Sequence, residues 1–236
     1  MTFCAGLASQ GKLPVFAVYS SFLQRSYDQL IHDCAIENRH IVLGIDRAGF
    51  VGEDGETHHG LFDVAMLSTV PTATLYSPCD TSELSVCLEQ ALYSDTGISA
   101  VRYPRGCELS HSDTDKYCDY KYISGGNKKL VFVYGRIAAY AKDLSDTADI
   151  LQVIKIYPIS DEIIKICLEY DEIYVFEEGE RDGGIAQKLC TALVIAGYKG
   201  KFSITAVDGF IRHASVATQL RNAKLDTDGM REIIGG

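Results

Sequence analysis

The sequence predicts an α/β protein of two domains, each a mostly parallel sheet flanked by helices. Three observations lead there. Short apolar runs recur without polar alternation, as in strands covered on both faces. Between them lie longer segments with apolar residues at three- and four-residue spacing. One polar, tyrosine-rich stretch, residues 107–129, breaks the rhythm and ends in GGNKK. Strand–helix alternation implies parallel pairing through right-handed crossovers. The expected division is a first domain at 1–110, a linker at 111–128 and a second domain at 129–236.

In chain order, the first strand is expected at residues 15–19. Residues 22–36 then read as a helix, with Leu23, Tyr27, Leu30, Ile31 and Cys34 on one face. Strands are expected at 41–45, 73–76 and 99–103. The helix after Pro78 opens with Asp80, and Glu83 three residues later makes a variant of the capping box. The second set of strands is expected at 130–134, 151–156, 173–176 and 202–206. Ser160 or Asp161 caps one helix of this half, and Gly183–Gly184 precede another.

Composition narrows the function classes. Hydrophobic residues make up 47% and charged residues 23%, ordinary for a globular protein. The formal net charge of -10 argues against nucleic acid as partner, because phosphate backbones select basic surfaces. It leaves room for a local basic pocket. No apolar run approaches the roughly 20 residues of a membrane span. The opening MTFCAGLASQGK shows no signal-peptide pattern. The eight cysteines include no CxxC pair, so no zinc or other metal site is expected. Buried thiols in a reducing cytoplasm are the expectation.

Ligands of open α/β sheets bind beyond the carboxyl ends of the strands, and three loops there are rich in functional groups. The first, YSSFLQRSYDQ, carries Tyr19, Phe22 and Arg25. An aromatic ring there can stack on a flat heterocycle, and an arginine can grip phosphate or carboxylate. Alternatively Phe22 and Tyr27 are core and Arg25 is a surface ion-pair partner. The second, DRAGFVGEDGETHHG, packs Asp46, Arg47, Glu53, Asp54, Glu56, His58 and His59 with four glycines. Such density suits a binding loop, and a histidine there can exchange protons near neutral pH. His58 and His59 are adjacent, so only one is expected to face the site. A solvated loop or a His/Asp metal site are the alternatives, the latter with poor ligand spacing. The third, RYPRG, places Arg102 and Arg105 beside a proline turn, with Arg105 better placed for an anion; both could equally be surface arginines. Together the loops suit a phosphorylated small molecule beside a planar cofactor. There is no GxGxxG fingerprint, no GxxxxGK[ST] loop and no GDG-type metal–diphosphate motif. In the second half, Glu177, Glu178, Arg181 and Asp182 read as a helix-capping or domain-interface group.

The strings TFCAGLASQGKLPVFAVYSSFLQRSYDQLIHD, IDRAGFVGEDGETHHGLFD and SAVRYPRG resemble the 1-deoxy-D-xylulose-5-phosphate synthases, thiamine-diphosphate enzymes of the transketolase type. The resemblance spans nearly all of residues 2–106. It continues more weakly through VFVYGRIAAYA, YVFEEGERDGGIAQKL and DGFIRHASVATQLRNAKLDTDGM. It implies a pyrimidine-binding domain followed by a transketolase C-terminal domain. The implied reaction joins pyruvate to D-glyceraldehyde 3-phosphate with loss of carbon dioxide, on the route to isoprenoid and thiamine precursors. By the same resemblance Phe22 stacks on the cofactor's aminopyrimidine. Tyr19, Arg47 and Arg105 hold the substrate phosphate, and Arg25 orders the site. Asp54 and His58 contact substrate hydroxyls, with His58 as proton donor. A sugar transketolase, a ketoacid-dehydrogenase β-like subunit and a non-catalytic module that keeps the fold are the competing readings.

The chain also departs from that family. An N-terminal domain binding the diphosphate through magnesium is missing, and so is the glutamate preceding the TFxAGLA segment that protonates the pyrimidine ring. The expectation is therefore a cut piece of a longer enzyme rather than a natural split subunit. It should hold only the pyrimidine end of the cofactor and be inactive alone. Family members are homodimers, and KLCTALVIAG could serve core or interface equally.

Overall fold

The computed structural model describes residues 1–109 and 111–235. In chain order the first half contains α1 (Thr2–Ser9), β1 (Val15–Tyr19), α2 (Ser20–Leu23), α3 (Tyr27–Gln29), β2 (Ile41–Asp46), α4 (Asp63–Leu67), β3 (Ala73–Tyr76), α5 (Thr81–Tyr93) and β4 (Ile98–Arg102). The second half contains β5 (Tyr120–Ile123), β6 (Lys129–Tyr134), α6 (Ala138–Ala141), β7 (Asp149–Val153), β8 (Lys155–Tyr157), α7 (Asp161–Cys167), β9 (Glu172–Glu180), α8 (Ile185–Ile195), β10 (Lys201–Val207), α9 (Val216–Asn222) and α10 (Thr227–Gly235).

Two five-stranded sheets form, in the orders β1-β2-β4-β3-β8 and β10-β9-β6-β7-β5. Each is parallel apart from one antiparallel edge strand, β8 on β3 and β5 on β7. The α/β architecture of two mostly parallel, helix-flanked sheets is as the sequence predicted. The continuous apolar runs became strands buried along their length, as in β4 and β7.

Three features departed from the expected elements. The run at 151–156 is split: β7 ends at Val153, and β8 crosses to pair with β3 of the other sheet. The stretch 111–128, expected as a linker, contributes β5 to the second sheet. The helix expected at 22–36 is broken into short α and 3-10 turns and a π-helical segment, Leu30–Ala35, in which Ile36 N–H donates to Ile31 O at 3.0 Å. Its apolar face survives the break, since Leu23, Leu30 and Cys34 are fully buried. The expected caps formed. Asp80 accepts from Glu83 N–H at 2.9 Å, Ser160 accepts from Ile163 N–H at 3.3 Å, and Gly184 precedes α8.

One apolar cluster contains residues of both sheets, including Leu43, Leu75, Phe132 and Val175. Polar bonds also cross between them. Glu83 of α5, fully buried, receives Lys121 Nζ at 2.6 Å and Gln152 Nε2 at 2.9 Å. Five cysteines are buried, Cys118 and Cys190 are half-buried, and Cys107 is exposed. In α8, Leu189 and Leu193 face the core while Val194 and Ile195 are exposed. Among the described residues no helix is long and apolar enough to cross a membrane.

Candidate functional site

Strand register assembles the site. Tyr19 lies opposite Asp46 across β1 and β2, and Ile45 lies opposite Arg102 across β2 and β4. The loops after these three strands therefore leave the same edge of the sheet side by side, at the carboxyl ends where ligands bind.

On the first loop, Tyr19 and Phe22 stack with ring centroids 5.5 Å apart and planes 15° apart. The helical turn of α2 makes this possible by returning residue 22 toward residue 19. His58 meets Phe22 edge-on at 5.3 Å. Two cations border the pair: Arg25 Cζ lies 5.3 Å from the Phe22 centroid and Arg47 Cζ lies 4.2 Å from that of Tyr19. The negative face of each ring attracts the cation beside it. Tyr19, Phe22, Arg25, Arg47 and His58 thus form one continuous group. The alternative of Phe22 as pure core is not what is seen, since its ring is only half-buried.

Arg47 has the left-handed backbone angle φ 59°. Asp46 accounts for it locally, accepting from Arg47 N–H at 2.7 Å and pairing with the guanidinium. Burial works against the arginine's charge, but the hydrogen bond and charge of Asp46 outweigh it, with help from Tyr19 and Asp54, and raise its pKa above the usual value. Strained non-glycine backbone persists where the surroundings fix it, often at ligand clamps.

The loop 46–60 is closed at its base by Gly49 and Gly60, which exchange two backbone hydrogen bonds of 2.8 Å. Both positions require glycine. A Cβ on Gly60 would meet Arg47 O at 2.1 Å, and one on Gly49, at φ 78°, would meet the Glu178 carboxylate at 2.5 Å. The tip carries a 3-10 turn, Gly52–Asp54. There Asp54 pairs with Arg105 at 3.3 Å, and Arg105 Nη1 also donates to Val51 O at 3.2 Å. Asp54 and Arg105 thus form a pair of their own at the loop tip.

The two histidines diverge, as their adjacency suggested. His58 is half-buried, faces Phe22, and its Nδ1 lies 2.9 Å from Thr57 Oγ1. His59 is 5% exposed and its Nδ1 accepts from Val51 N–H at 3.2 Å. Burial, the largest effect, lowers the pKa of His59 and favours the neutral ring that this acceptor role demands.

Arg102 and Arg105 also separate. Arg102 is buried against Asp63, with Nε to Oδ2 at 2.9 Å and Nη2 to Oδ1 at 3.2 Å. It further donates to Gly60 O at 3.4 Å. It supports the base of the loop, while Arg105 is exposed. The acidic group of the second half turned out to do both things expected of it. Glu177 accepts from the first N–H groups of α8, Ile185 and Ala186, at 2.9 Å each. Glu178 reaches the first half, accepting from Phe50 N–H at 2.7 Å.

Three buried polar atoms near the ring pair have no hydrogen-bond partner among the described residues: Ser20 Oγ, Ser21 Oγ and Arg47 Nε. A cleft of about 160 Å³ is lined by Ser20, Ser21, Gln24, Glu56, His59 and Phe62 among others, and not by Tyr19, Phe22 or Arg47. Buried polar atoms are normally satisfied, so the unsatisfied hydroxyls of Ser20 and Ser21 in a cleft with Phe62 fit a hydrogen-bonding ligand with a flat apolar face. No trio of His, Cys, Asp or Glu side chains among the described residues could hold a metal ion.

Sequence reasoning missed Asp63, Arg136 and Gln219, which hold the loops from behind. Each bonds to residues 39 to 167 positions away, so no local spacing announces it.

Comparison with known proteins agrees with the fold. A family described as the transketolase pyrimidine-binding domain matches residues 1–107. The 1-deoxy-D-xylulose-5-phosphate synthase of Thermus thermophilus is 34% identical over 99% of this chain and 39% of its own length. That of Chlorobaculum tepidum is 38% identical over 98% of this chain and 38% of its own length. The chain thus spans about two fifths of these curated relatives. A solved structure described as "Split gene transketolase, inactive beta4 tetramer" superposes with a TM-score of 0.87, covering 99% of this chain and 78% of that one, at 16% identity. That likeness speaks for the fold alone. Residues 1–107 thus match the transketolase pyrimidine-binding domain, and nearly the whole chain is similar to about two fifths of the 1-deoxy-D-xylulose-5-phosphate synthases.

Proposed function

We propose that this chain supplies the ring-binding and C-terminal domains of a thiamine-diphosphate enzyme that condenses pyruvate with D-glyceraldehyde 3-phosphate to give 1-deoxy-D-xylulose 5-phosphate and carbon dioxide. The observation that carries the reading is the continuous group Tyr19–Phe22–His58 bordered by Arg25 and Arg47 at the carboxyl ends of a parallel sheet. When bound, thiamine diphosphate supplies the capacity to break and form carbon–carbon bonds next to a carbonyl. Phe22 stacks on its pyrimidine. Tyr19, Arg47 and Arg105 hold the phosphate of the acceptor substrate, and Arg25 orders the cationic rim. Asp54 and His58 bind substrate hydroxyls, and the His58 imidazole moves a proton at the reacting oxygen. Fixed cations around that oxygen stabilise charge as it develops.

The diphosphate, its magnesium and the glutamate that activates the pyrimidine belong to a further polypeptide segment. The chain's two-fifths span of its relatives supports this. The working enzyme is taken to be a cytoplasmic homodimer of complete active sites.

Purified chain given pyruvate, D-glyceraldehyde 3-phosphate, thiamine diphosphate and magnesium is expected to release no carbon dioxide above background. Joined to the diphosphate-binding portion of a relative, it should turn over with pyruvate and not with a ketose donor. Turnover by the chain alone would refute its incompleteness. Turnover of the joined enzyme with ketoses only would refute the substrate assignment.

A further inference from the structure

The loop that carries Arg47, Asp54 and His58 is gripped by side chains from the other sheet. Arg136, in the 3-10 turn after β6, donates through Nη2 to Phe50 O at 2.7 Å. Glu178 of β9 accepts from Phe50 N–H at 2.7 Å and pairs with Arg136, whose Nε lies 2.9 Å from Glu178 Oε2. Both are nearly fully buried. Gln219 of α9, 2% exposed, accepts from Gly52 N–H at 3.2 Å, and its Nε2 donates to Arg212 O at 2.9 Å and lies 3.3 Å from His59 Nε2. His59 in turn accepts from Val51 N–H. The main chain of residues 50, 51 and 52 is thereby fixed on three successive residues, directly between Arg47 and Asp54.

We infer that Arg136, Glu178 and Gln219 are positioning residues: a brace from the second half that sets the loop 46–60 so that Asp54 meets Arg105 and His58 meets Phe22. The inference deepens the proposed function and rests on it. A buried ion pair is weak evidence for stability, since replacing both partners by apolar side chains is often neutral or better. Here the pair satisfies both main-chain groups of Phe50, which is a geometric task. Binding groups on loops need such support to keep their placement.

The test uses the full chain, and Gln152→Leu serves as control, because it also cuts a contact between the sheets (to Glu83) but touches no part of the loop. Amide hydrogen exchange without ligand reads the brace directly. Gln219→Leu is expected to speed exchange at Val51 and Gly52 by about tenfold, the equivalent of one hydrogen bond, while β4 and β6 stay protected. Glu178→Gln keeps an acceptor for Phe50 N–H and should loosen residue 50 less. Calorimetric titration with D-glyceraldehyde 3-phosphate should show affinity about tenfold weaker in Gln219→Leu and unchanged in Gln152→Leu. Unchanged loop exchange in Gln219→Leu and Glu178→Gln, or equal loss of affinity in the control, would overturn the brace. If Gln219→Leu does not fold, Glu178→Gln decides by the same exchange readout. Failure of the wild-type chain to bind the ligand would instead count against the proposed function, and the exchange data would still decide whether the loop is held from the second sheet.

Discussion

In the Arg47→Ala/Arg105→Ala double variant, the thermal stabilisation that D-glyceraldehyde 3-phosphate confers on the wild-type chain is expected to vanish. A ligand at a hundredfold excess over its Kd adds about 2.7 kcal/mol to a protein that binds it only when folded. For a chain of this length that is a rise of roughly 5–10 °C in Tm. Hydrogen bonds to a charged group are worth about 1.5–3 kcal/mol each. Losing two cations should weaken binding by at least about a hundredfold, enough to erase the shift. Both arginines keep solvent access, with side chains 27% and 44% exposed. Their removal should therefore leave the ligand-free Tm near its original value. An undiminished ligand-induced shift in the double variant would show that the phosphate, if bound, is held elsewhere.

Arg102→Met should act on the fold rather than on the ligand, at a cost of about 3–5 kcal/mol, the usual result of stranding a buried charge. Asp63 is 2% exposed, and Arg102 is its ion-pair partner. Burial disfavours the charge on Arg102, yet Asp63 more than compensates and its pKa is raised. Without the guanidinium, Asp63 must ionise in a dry site or take up a proton, and Gly60 O loses a donor at the base of the loop. Chemical denaturation should show a lower midpoint with little change of slope. The double change Arg102→Met/Asp63→Leu should recover much of the loss, because no charge is then stranded. A single variant within 1 kcal/mol of wild type, a bound set by the spread of surface substitutions, would contradict this.

The contrast between these two sites explains how far the sequence could be read. Strands such as β2 and β4 announce themselves because both faces are covered, leaving unbroken apolar runs. The edge strand β5 does not: YKYI is half exposed and reads like loop. The break between β7 and β8 is invisible for the opposite reason, since apolar residues continue through Ile154 while the chain passes from one sheet to the other. At the candidate site, Tyr19, Phe22, Arg47, Asp54, His58 and Arg105 could be singled out because charge and rings are concentrated in loops at strand ends. Arg102–Asp63, Arg136–Glu178 and Gln219–His59 were not. Their partners are brought together only by tertiary packing, and a buried arginine looks in sequence like any other. The reading of His58 and His59 shows the limit well. Adjacency tells that the two rings part, but only the packing of α9 behind His59 tells which is buried, and the chain does it with a turn at residues 56–58 rather than with extended backbone.

Arginine side-chain NMR during titration with D-glyceraldehyde 3-phosphate probes most directly whether rings and cations share one binding crevice. The Nε–H resonances of Arg47, whose Nε is buried without a partner among the described residues, and of Arg105 should shift together and saturate at one ligand concentration, while that of Arg181, paired with Asp208 beside β10, stays in place. Movement of Arg181 with Arg47 and Arg105 unaffected would contradict the site described above.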